Sequence, residues 1–226
     1  MAAESVRNLF VNSDYSLSER MRQKRWELTL RLFPDLSEMK VLDLGGTREW
    51  WLRAPVRPRH VTVLNLDGGE QSGWLTKIEG DACHADTLLA GQSFDLVFSN
   101  SLIEHVGGHK AWSMLSQAIR SLAPRYLVQT PYRYFPIEPH WLFPGMQFLP
   151  LQFRSKIASS WPLGHTSGWP KNQALEEVMS TQLLTATEMR AYFPDGKLYW
   201  ERFLGLPKSM LLVRQAQASD VAAGPA

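Results

Sequence analysis

Short apolar runs that alternate with helical stretches constrain the fold of this chain more than any other feature. Four such runs span residues 41–44, 61–66, 94–99 and 126–130. Between the last two, residues 109–122 carry apolar side chains at spacings of three and four, which is typical of an amphipathic helix. Strands that are apolar on both faces and separated by helices are typical of a parallel sheet covered on both sides. The pattern therefore predicts an α/β fold with a doubly wound, mostly parallel sheet.

The pattern changes after residue 131. Seven of the fourteen prolines fall in residues 131–171, which predicts a long, aromatic loop rather than regular elements. Helices are expected at 172–184 and 187–192, the second capped by Thr187, so that residues 131–184 form a cap insertion. Apolar runs at 197–204 and 210–214 fit an antiparallel pair at the sheet edge. With a short strand near 76–80, the sheet is predicted to have seven strands.

An N-terminal helix is predicted before the sheet. Ser16 has the character of an N-cap, Glu19 follows at the capping-box spacing, and Pro34 marks the end. The helix carries a basic run that fits either a solvated face or an anionic partner such as RNA: Arg20, Arg22, Lys24 and Arg25. The predicted organisation is a helical segment at 1–35, a main domain at 36–214 and a disordered tail at 215–226.

Composition limits the class of protein. A chain of 226 residues suits one domain, and its net charge of +2 does not predict nucleic-acid binding. Cys83 is the single cysteine, which excludes a disulfide within the chain and a cysteine-rich metal cluster. No secretory pattern or membrane-spanning apolar run is evident, so a cytoplasmic setting is expected. Nine tryptophans fit either the packing of an irregular region or an aromatic wall around a substrate.

Polar and glycine residues follow the first two strands. Asp43, Gly45 and Gly46 end the first, where glycines permit a tight turn and close approach of a ligand. Asp67 follows the second, where a carboxylate can accept hydrogen bonds from ribose hydroxyls. Thr47 stands where a dinucleotide site usually has another glycine, which weighs against NAD and favours a nucleoside ligand without phosphate.

Two further strand ends carry similar residues. Asp81 is placed to face the exocyclic amine of an adenine, and Ala82 to supply a backbone N–H. Ser99 and Asn100 end the third long strand and are expected to face the same crevice. Each of these residues alone also fits an ordinary turn, but their order along consecutive strands predicts a shared ligand site.

The span 40–130 resembles the class I S-adenosylmethionine-dependent methyltransferases. Residues 41–46 resemble the glycine-rich first motif, 65–67 the ribose-binding acidic motif, 80–82 the adenine-binding motif and 94–106 the fourth motif. Thr47 departs from the family, which often has a third glycine there. The resemblance implies a Rossmann-like methyltransferase fold, S-adenosylmethionine as cofactor, and a cofactor site formed by these residues: Asp43, Gly45, Gly46, Thr47, Asp67, Asp81, Ala82, Ser99 and Asn100.

Candidate catalytic residues lie just beyond the fourth strand. His140 can serve as a general base because an imidazole titrates near neutrality, and Glu138 can orient it. Both residues also fit a structural role in a proline-rich loop. Tyr132 lies near the strand end, and His105, in the fourth motif, is either a base or a packing residue beside the cofactor. No metal-ligand cluster of recognisable spacing is present, so no metal is expected.

Together these features predict an enzyme that methylates an oxygen or nitrogen of a small molecule, such as a secondary metabolite or saccharide. The proline- and tryptophan-rich cap favours a compact acceptor over a duplex. An RNA methyltransferase and a non-catalytic S-adenosylmethionine-binding module remain the alternatives. Nucleic acid and membrane partners are not expected, and the sequence does not define an oligomeric state.

Overall fold

A computed structural model of the protein describes residues 17–69 and 71–215. The strands of its main sheet are β1 Lys40–Leu44, β2 His60–Asn65, β3 Gln71–Ser72, β4 Leu75–Glu79, β5 Leu96–Asn100, β6 Tyr126–Pro131, β9 Lys197–Phe203 and β10 Leu206–Arg214, and β7 Ile137–Glu138 and β8 Phe143–Pro144 form a separate hairpin. The main sheet is mixed and has the strand order β3-β4-β2-β1-β5-β6-β10-β9. The predicted seven strands are present, and the two-residue strand β3 adds an eighth.

The strand order creates a switch point at β1. Five neighbouring strands, from β4 through β2, β1 and β5 to β6, run parallel, and β10 is antiparallel to both β6 and β9. The chain passes from β1 to β2 on one side and later reaches β5 on the other. In such sheets the crevice beyond the carboxyl ends at the switch point is where ligands bind. The predicted doubly wound, mostly parallel sheet is confirmed.

Helices cover both faces of this sheet. The bounds are α1 Leu17–Leu32, α2 Arg48–Leu52, α3 Ala85–Leu88, α4 His109–Leu122, α5 Leu151–Ser160, α6 Lys171–Ser180 and α7 Ala186–Tyr192. Alternate strand residues face opposite layers, as the pleat requires. Val41 packs in the core with α1 and α2, whereas Leu42 packs with α4 and α7. Helix α4 matches the predicted span, because its apolar spacing is regular.

The N-terminal helix α1 packs against α2 and the sheet. Trp26 stacks on Phe98 of β5 with ring centroids 6.1 Å apart, and on Trp50 of α2 at 5.2 Å. Arg25 is buried and forms a bidentate ion pair with Glu201 of β9 at 2.7 Å. The predicted cap Ser16 lies outside the described residues, as does all of the predicted tail except residue 215.

The cap contains more regular structure than the sequence predicts. Residues 131–171 are not one long loop, because they include the β7–β8 hairpin and helix α5. Prolines fall at the boundaries of these elements, where their missing N–H and fixed φ are tolerated, so proline density is a poor guide here. The cap has its own small core, in which Trp141 is fully buried. This burial supports the packing interpretation for Trp141.

Two predicted helix boundaries near the end of the cap are wrong. Helix α6 ends at Ser180 rather than at residue 184, and the following segment is extended and pairs Leu184 with Tyr132. The N-cap of α7 is Thr185, not Thr187. Thr185 accepts a hydrogen bond from the backbone of Glu188, whose side chain accepts one from the Thr185 backbone, and this completes a capping box.

Candidate functional site

A cavity of about 460 Å³ opens at the carboxyl ends of β1, β2, β4 and β5. Its volume falls within the range of about 300–1,000 Å³ that is typical of small-molecule sites. Four predicted site residues line it together: Gly45, Asp81, Ala82 and His105. Leu64, Leu102 and Met114 add apolar walls. We call this the strand-end cavity.

The turn after β1 depends on its two glycines. Gly45 has a φ of 74°, a left-handed conformation that side chains disfavour. A Cβ on Gly46 would lie 1.7 Å from Oδ2 of Asp43, so any larger residue would displace that carboxylate. Both positions therefore require glycine: Gly45 for its backbone conformation where it lines the cavity, and Gly46 for the space that the Asp43 carboxylate occupies.

Asp43 lies beneath this turn, next to Gly46, and does not line the cavity. It is buried, and its Oδ2 accepts a hydrogen bond from Nε1 of Trp51 at 2.6 Å. Within the described residues its Oδ1 has no hydrogen-bond partner. Burial raises the pKa of Asp43 to about 7, although the hydrogen bond from Trp51 acts in the opposite direction. The first carboxylate of the motif is therefore a structural element of the turn.

Asn65, not Asp67, reaches the cavity wall at the end of β2. The strand ends at Asn65, one residue before the predicted end, and Asp67 lies outside the cavity lining. Asp67 is exposed and pairs with Lys77 at 2.6 Å, and the hydrogen bond from Lys77 lowers the pKa of its carboxyl. Asn65 donates a hydrogen bond from Nδ2 to the Gly46 carbonyl at 2.9 Å. Within the motif at 65–67, the sequence analysis had selected Asp67 because a carboxylate can accept hydrogen bonds from ribose hydroxyls.

The other predicted cofactor residues are divided between several environments. Asp81 caps the turn that follows it, accepting a hydrogen bond from the Cys83 backbone at 2.9 Å, and Ala82 lies in the same turn. Ser99 is buried in the sheet, and Asn100 accepts a hydrogen bond from the Arg25 guanidinium, so neither lines the cavity. The packing of α1 over β5, which the sequence did not indicate, accounts for the position of Asn100.

Thr47 lies in a different groove. It is the N-cap of α2 and accepts a hydrogen bond from the Trp50 backbone at 3.3 Å. It also lines a groove of about 540 Å³ between α1 and α2, together with Trp26 and Arg53. This groove is larger than the strand-end cavity. It lacks Gly45, Asp81 and Ala82, which line the strand-end cavity instead.

Glu138 and His140 form a tightly bonded pair in the cap hairpin. Nδ1 of His140 donates to Oε1 of Glu138 at 2.7 Å. Oε2 of Glu138 accepts hydrogen bonds from the backbone amides of His140, at 2.8 Å, and Trp141, at 2.9 Å. Burial acts to lower the pKa of His140, but the hydrogen bond and negative charge of Glu138 outweigh it and raise that pKa.

The cap brings His140 against the fourth motif. The rings of His105 and His140 meet edge to face with centroids 4.9 Å apart. Glu104, which the sequence analysis did not single out, is fully buried beside them and accepts a hydrogen bond from Thr130 at 2.9 Å. Burial and the neighbouring His140 lower the pKa of His105 to about 4. We call Glu104, His105, Glu138 and His140 the histidine–glutamate cluster.

Tyr132 has a mainly structural environment. Its ring packs edge to face against Trp200 at 4.9 Å and against Tyr134 at 5.6 Å. Its backbone amide donates to the Lys208 carbonyl at 2.9 Å. These contacts join the cap to the edge of the sheet rather than placing Tyr132 in the histidine–glutamate cluster.

Solved structures with the same architecture include several methyltransferases. An O-methyltransferase family protein from Burkholderia thailandensis superposes with a TM-score of 0.55 and 12% identity over 96% of this chain. The chain has the class I methyltransferase fold. Magnesium protoporphyrin IX methyltransferase from Synechocystis PCC 6803, solved with bound SAH, gives a TM-score of 0.52 and 12% identity over 95% of this chain and 94% of its own. A SAM-dependent methyltransferase from Archaeoglobus fulgidus gives 0.50 and 11%, over 85% of this chain and 93% of its own.

This chain spans 60% of the length of the Burkholderia protein. No protein-family model and no curated protein sequence matches it. The likeness to class I methyltransferases therefore lies in the fold. Among the described residues, none of the helices has the length and apolar character needed to cross a bilayer.

Proposed function

We propose that the protein transfers a methyl group from S-adenosylmethionine to an oxygen or nitrogen of a small molecule. One observation carries this proposal: the strand-end cavity of a class I methyltransferase fold shares His105 with a cluster of two half-buried imidazoles and two buried carboxylates. The cavity offers a place for the cofactor, and the cluster offers groups that act on an acceptor proton. S-adenosylhomocysteine bound to the Synechocystis enzyme supports the choice of cofactor.

The cavity residues fit an adenosyl group. Leu64, Ala82 and Met114 provide apolar surface for an adenine ring, and Asp81 provides a carboxylate beside it. Asn65 offers an amide near the glycine turn, where a ribose would lie. We therefore assign ribose contact to Asn65 in preference to Asp67, whose carboxylate is held by Lys77.

The histidine–glutamate cluster serves the acceptor. When bound, S-adenosylmethionine supplies a methyl carbon to which the acceptor lone pair bonds, while the carbon–sulfur bond breaks and its electrons remain on sulfur. A hydroxyl acceptor must also lose its proton. His140 is the group placed to promote this loss, because Glu138 fixes its ring orientation and the cap holds it against His105.

A small acceptor agrees better with the surface of α1 than RNA does. Of the four basic residues, Arg25 is buried against Glu201 and Arg22 pairs with Glu19 at 2.7 Å. Arg20 and Lys24 remain exposed in this run, and Arg31 is exposed in the last turn of the helix, which is little positive charge for a phosphate backbone. A cytoplasmic location stays a prediction from composition.

The decisive experiment is to measure cofactor binding and turnover on the full chain. Calorimetry with S-adenosylmethionine and S-adenosylhomocysteine should give saturable binding at one site. Incubation with labelled S-adenosylmethionine and fractionated small-molecule extracts should release S-adenosylhomocysteine and label a low-mass product. Binding without turnover in any extract would favour the non-catalytic module, and label recovered only in RNA would favour the alternative acceptor.

A further inference from the structure

Three potential metal ligands converge beside the strand-end cavity. One carboxylate oxygen of Glu104 and one ring nitrogen each of His105 and His140 lie within 4.8 Å of one another. Glu104 and His105 belong to the turn after β5, whereas His140 belongs to the cap hairpin. A helix and two strands separate them in sequence, which explains why ligand spacing gave no indication of a metal.

The carboxylate of Glu104 lacks a full set of partners. Its side chain is fully buried, and Thr130 donates to Oε2. Oε1 has no hydrogen bond within the described residues, because the nearby Ser101 hydroxyl donates to Gln129 instead. A buried polar atom without a partner is costly, and buried carboxylates are normally paired or bound to a metal. A cation between Glu104 and the two imidazoles would satisfy this oxygen.

Besides Glu104, one further carboxylate lies near each of the two histidines. Glu138 occupies Nδ1 of His140, so Nε2 is the nitrogen left for a ligand bond. Glu177 of α6 lies 4.0 Å from Nδ1 of His105. Metal-binding histidines usually donate their other ring N–H to a carboxylate or carbonyl, which fixes the ring and increases its basicity. Glu138 therefore bonds His140 as an outer carboxylate does in metal sites, whereas Glu177 lies near His105 beyond hydrogen-bond distance and bonds Nε2 of His165 at 3.2 Å.

We propose that Glu104, His105 and His140 bind one divalent transition-metal ion. Two imidazoles and one carboxylate suit Zn²⁺, Mn²⁺, Fe²⁺ or Co²⁺ better than Mg²⁺ or Ca²⁺, which prefer oxygen ligands. Three protein ligands leave coordination positions open, as in catalytic rather than structural sites. Because His105 also lines the cavity proposed for the cofactor, an acceptor hydroxyl bound at those positions would lie beside the cofactor, and a divalent ion lowers the pKa of a hydroxyl group that binds it.

With an ion bound, Nε2 of His140 is a metal ligand, so the ion rather than the imidazole would promote loss of the acceptor proton. This inference rests on the proposed function for that catalytic meaning, but metal binding can be tested without turnover. Chelator-treated full chain is titrated with Zn²⁺, Mn²⁺ and Co²⁺ by calorimetry, and the visible spectrum of the Co²⁺ form is recorded. We expect one ion per chain. Glu104→Gln, His105→Ala and His140→Ala should each weaken binding by more than about 100-fold, and Glu138→Gln by about 10–100-fold, the range for outer carboxylates.

His109→Asn is the matched control, because that exposed histidine bonds Tyr192 outside the cluster. Its metal affinity should equal that of the unmodified chain. Circular dichroism and thermal unfolding are measured in every variant to show that the fold persists, because His105 lines the cavity proposed for the cofactor and its loss can affect cofactor binding directly. Absence of stoichiometric binding, or equal affinities in the control and the three ligand variants, would overturn the metal site. If the unmodified chain binds no metal but still binds the cofactor and turns over, the methyltransferase function stands without a metal site. If the unmodified chain does not bind the cofactor at all, the methyltransferase function is rejected instead.

Discussion

The strand-end cavity and the histidine–glutamate cluster are adjacent but differ in construction. The cavity is formed mainly by short segments at the ends of neighbouring parallel strands, so most of its residues share one edge of the sheet, and α4 adds one wall. The cluster joins the turn after β5 to a hairpin of the cap, and the cap has its own small core. The proposed cofactor site therefore depends mainly on local segments, whereas the groups proposed to act on the acceptor depend on how the cap folds onto the sheet.

Replacement of His140 by Ala should have the largest effect and would separate the two regions most clearly. We expect turnover to fall by about 10²–10⁴-fold, the contribution typical of a positioned side chain that moves a proton. Cofactor affinity should not change, because His140 lies outside the cavity lining. S-adenosylhomocysteine release and calorimetry measure the two quantities. Turnover close to that of the unmodified chain would assign His140 a purely structural role.

Asp43→Asn tests whether the turn beneath the cavity contains a titrating carboxyl group. The pKa of Asp43 is about 7 in the folded chain, against an ordinary value of 3.8. Between these values the native state retains a proton that the unfolded state has released, so the free energy of unfolding should decrease as pH rises. The full decrease is on the order of 4 kcal/mol. Urea unfolding across this pH range should show the slope, and Asp43→Asn should remove it; equal slopes would contradict the assignment.

Asn65→Ala and Asp67→Ala form a matched pair at the end of β2. Loss of one hydrogen bond to the cofactor should weaken S-adenosylmethionine binding by about tenfold in Asn65→Ala. Asp67→Ala should leave affinity unchanged, because its carboxylate pairs with Lys77 outside the cavity. Calorimetry at one salt concentration compares them. The reverse order of effects would restore the sequence-based assignment of the ribose contact to Asp67.

The smallest effect is expected from the double change Arg20→Ala and Lys24→Ala. Both side chains are exposed on α1, and neither residue lines the strand-end cavity. Cofactor affinity and turnover on small molecules should therefore stay the same. Salt-dependent RNA binding that disappears in this variant would instead support the RNA alternative and extend the functional surface to α1.

Particular residues show how far local patterns reach. The regular apolar spacing of residues 109–122 predicted α4 at the observed bounds, because its buried face alone defines the helix. Helix α5 was missed because its apolar residues follow no clear helical period between flanking prolines. Gly45, Asp81 and Ala82 line one cavity, as the sequence predicted, whereas Asp67 pairs with Lys77 and Asn100 bonds Arg25 outside it. The partners of such long basic side chains depend on the tertiary structure and cannot be predicted from the neighbouring sequence.

The sequence by itself determined the parallel sheet, its helical layers and the glycine turn at the switch point. These features follow from the period of apolar residues and from the backbone freedom of glycine, which are local properties. Only the tertiary structure decided that Asn65 reaches the cavity, that Asp43 is buried beneath the turn, and that Glu104, His105 and His140 meet. Burial and contact between distant segments depend on packing, so the histidine–glutamate cluster could be identified only from the way in which the cap packs against the sheet.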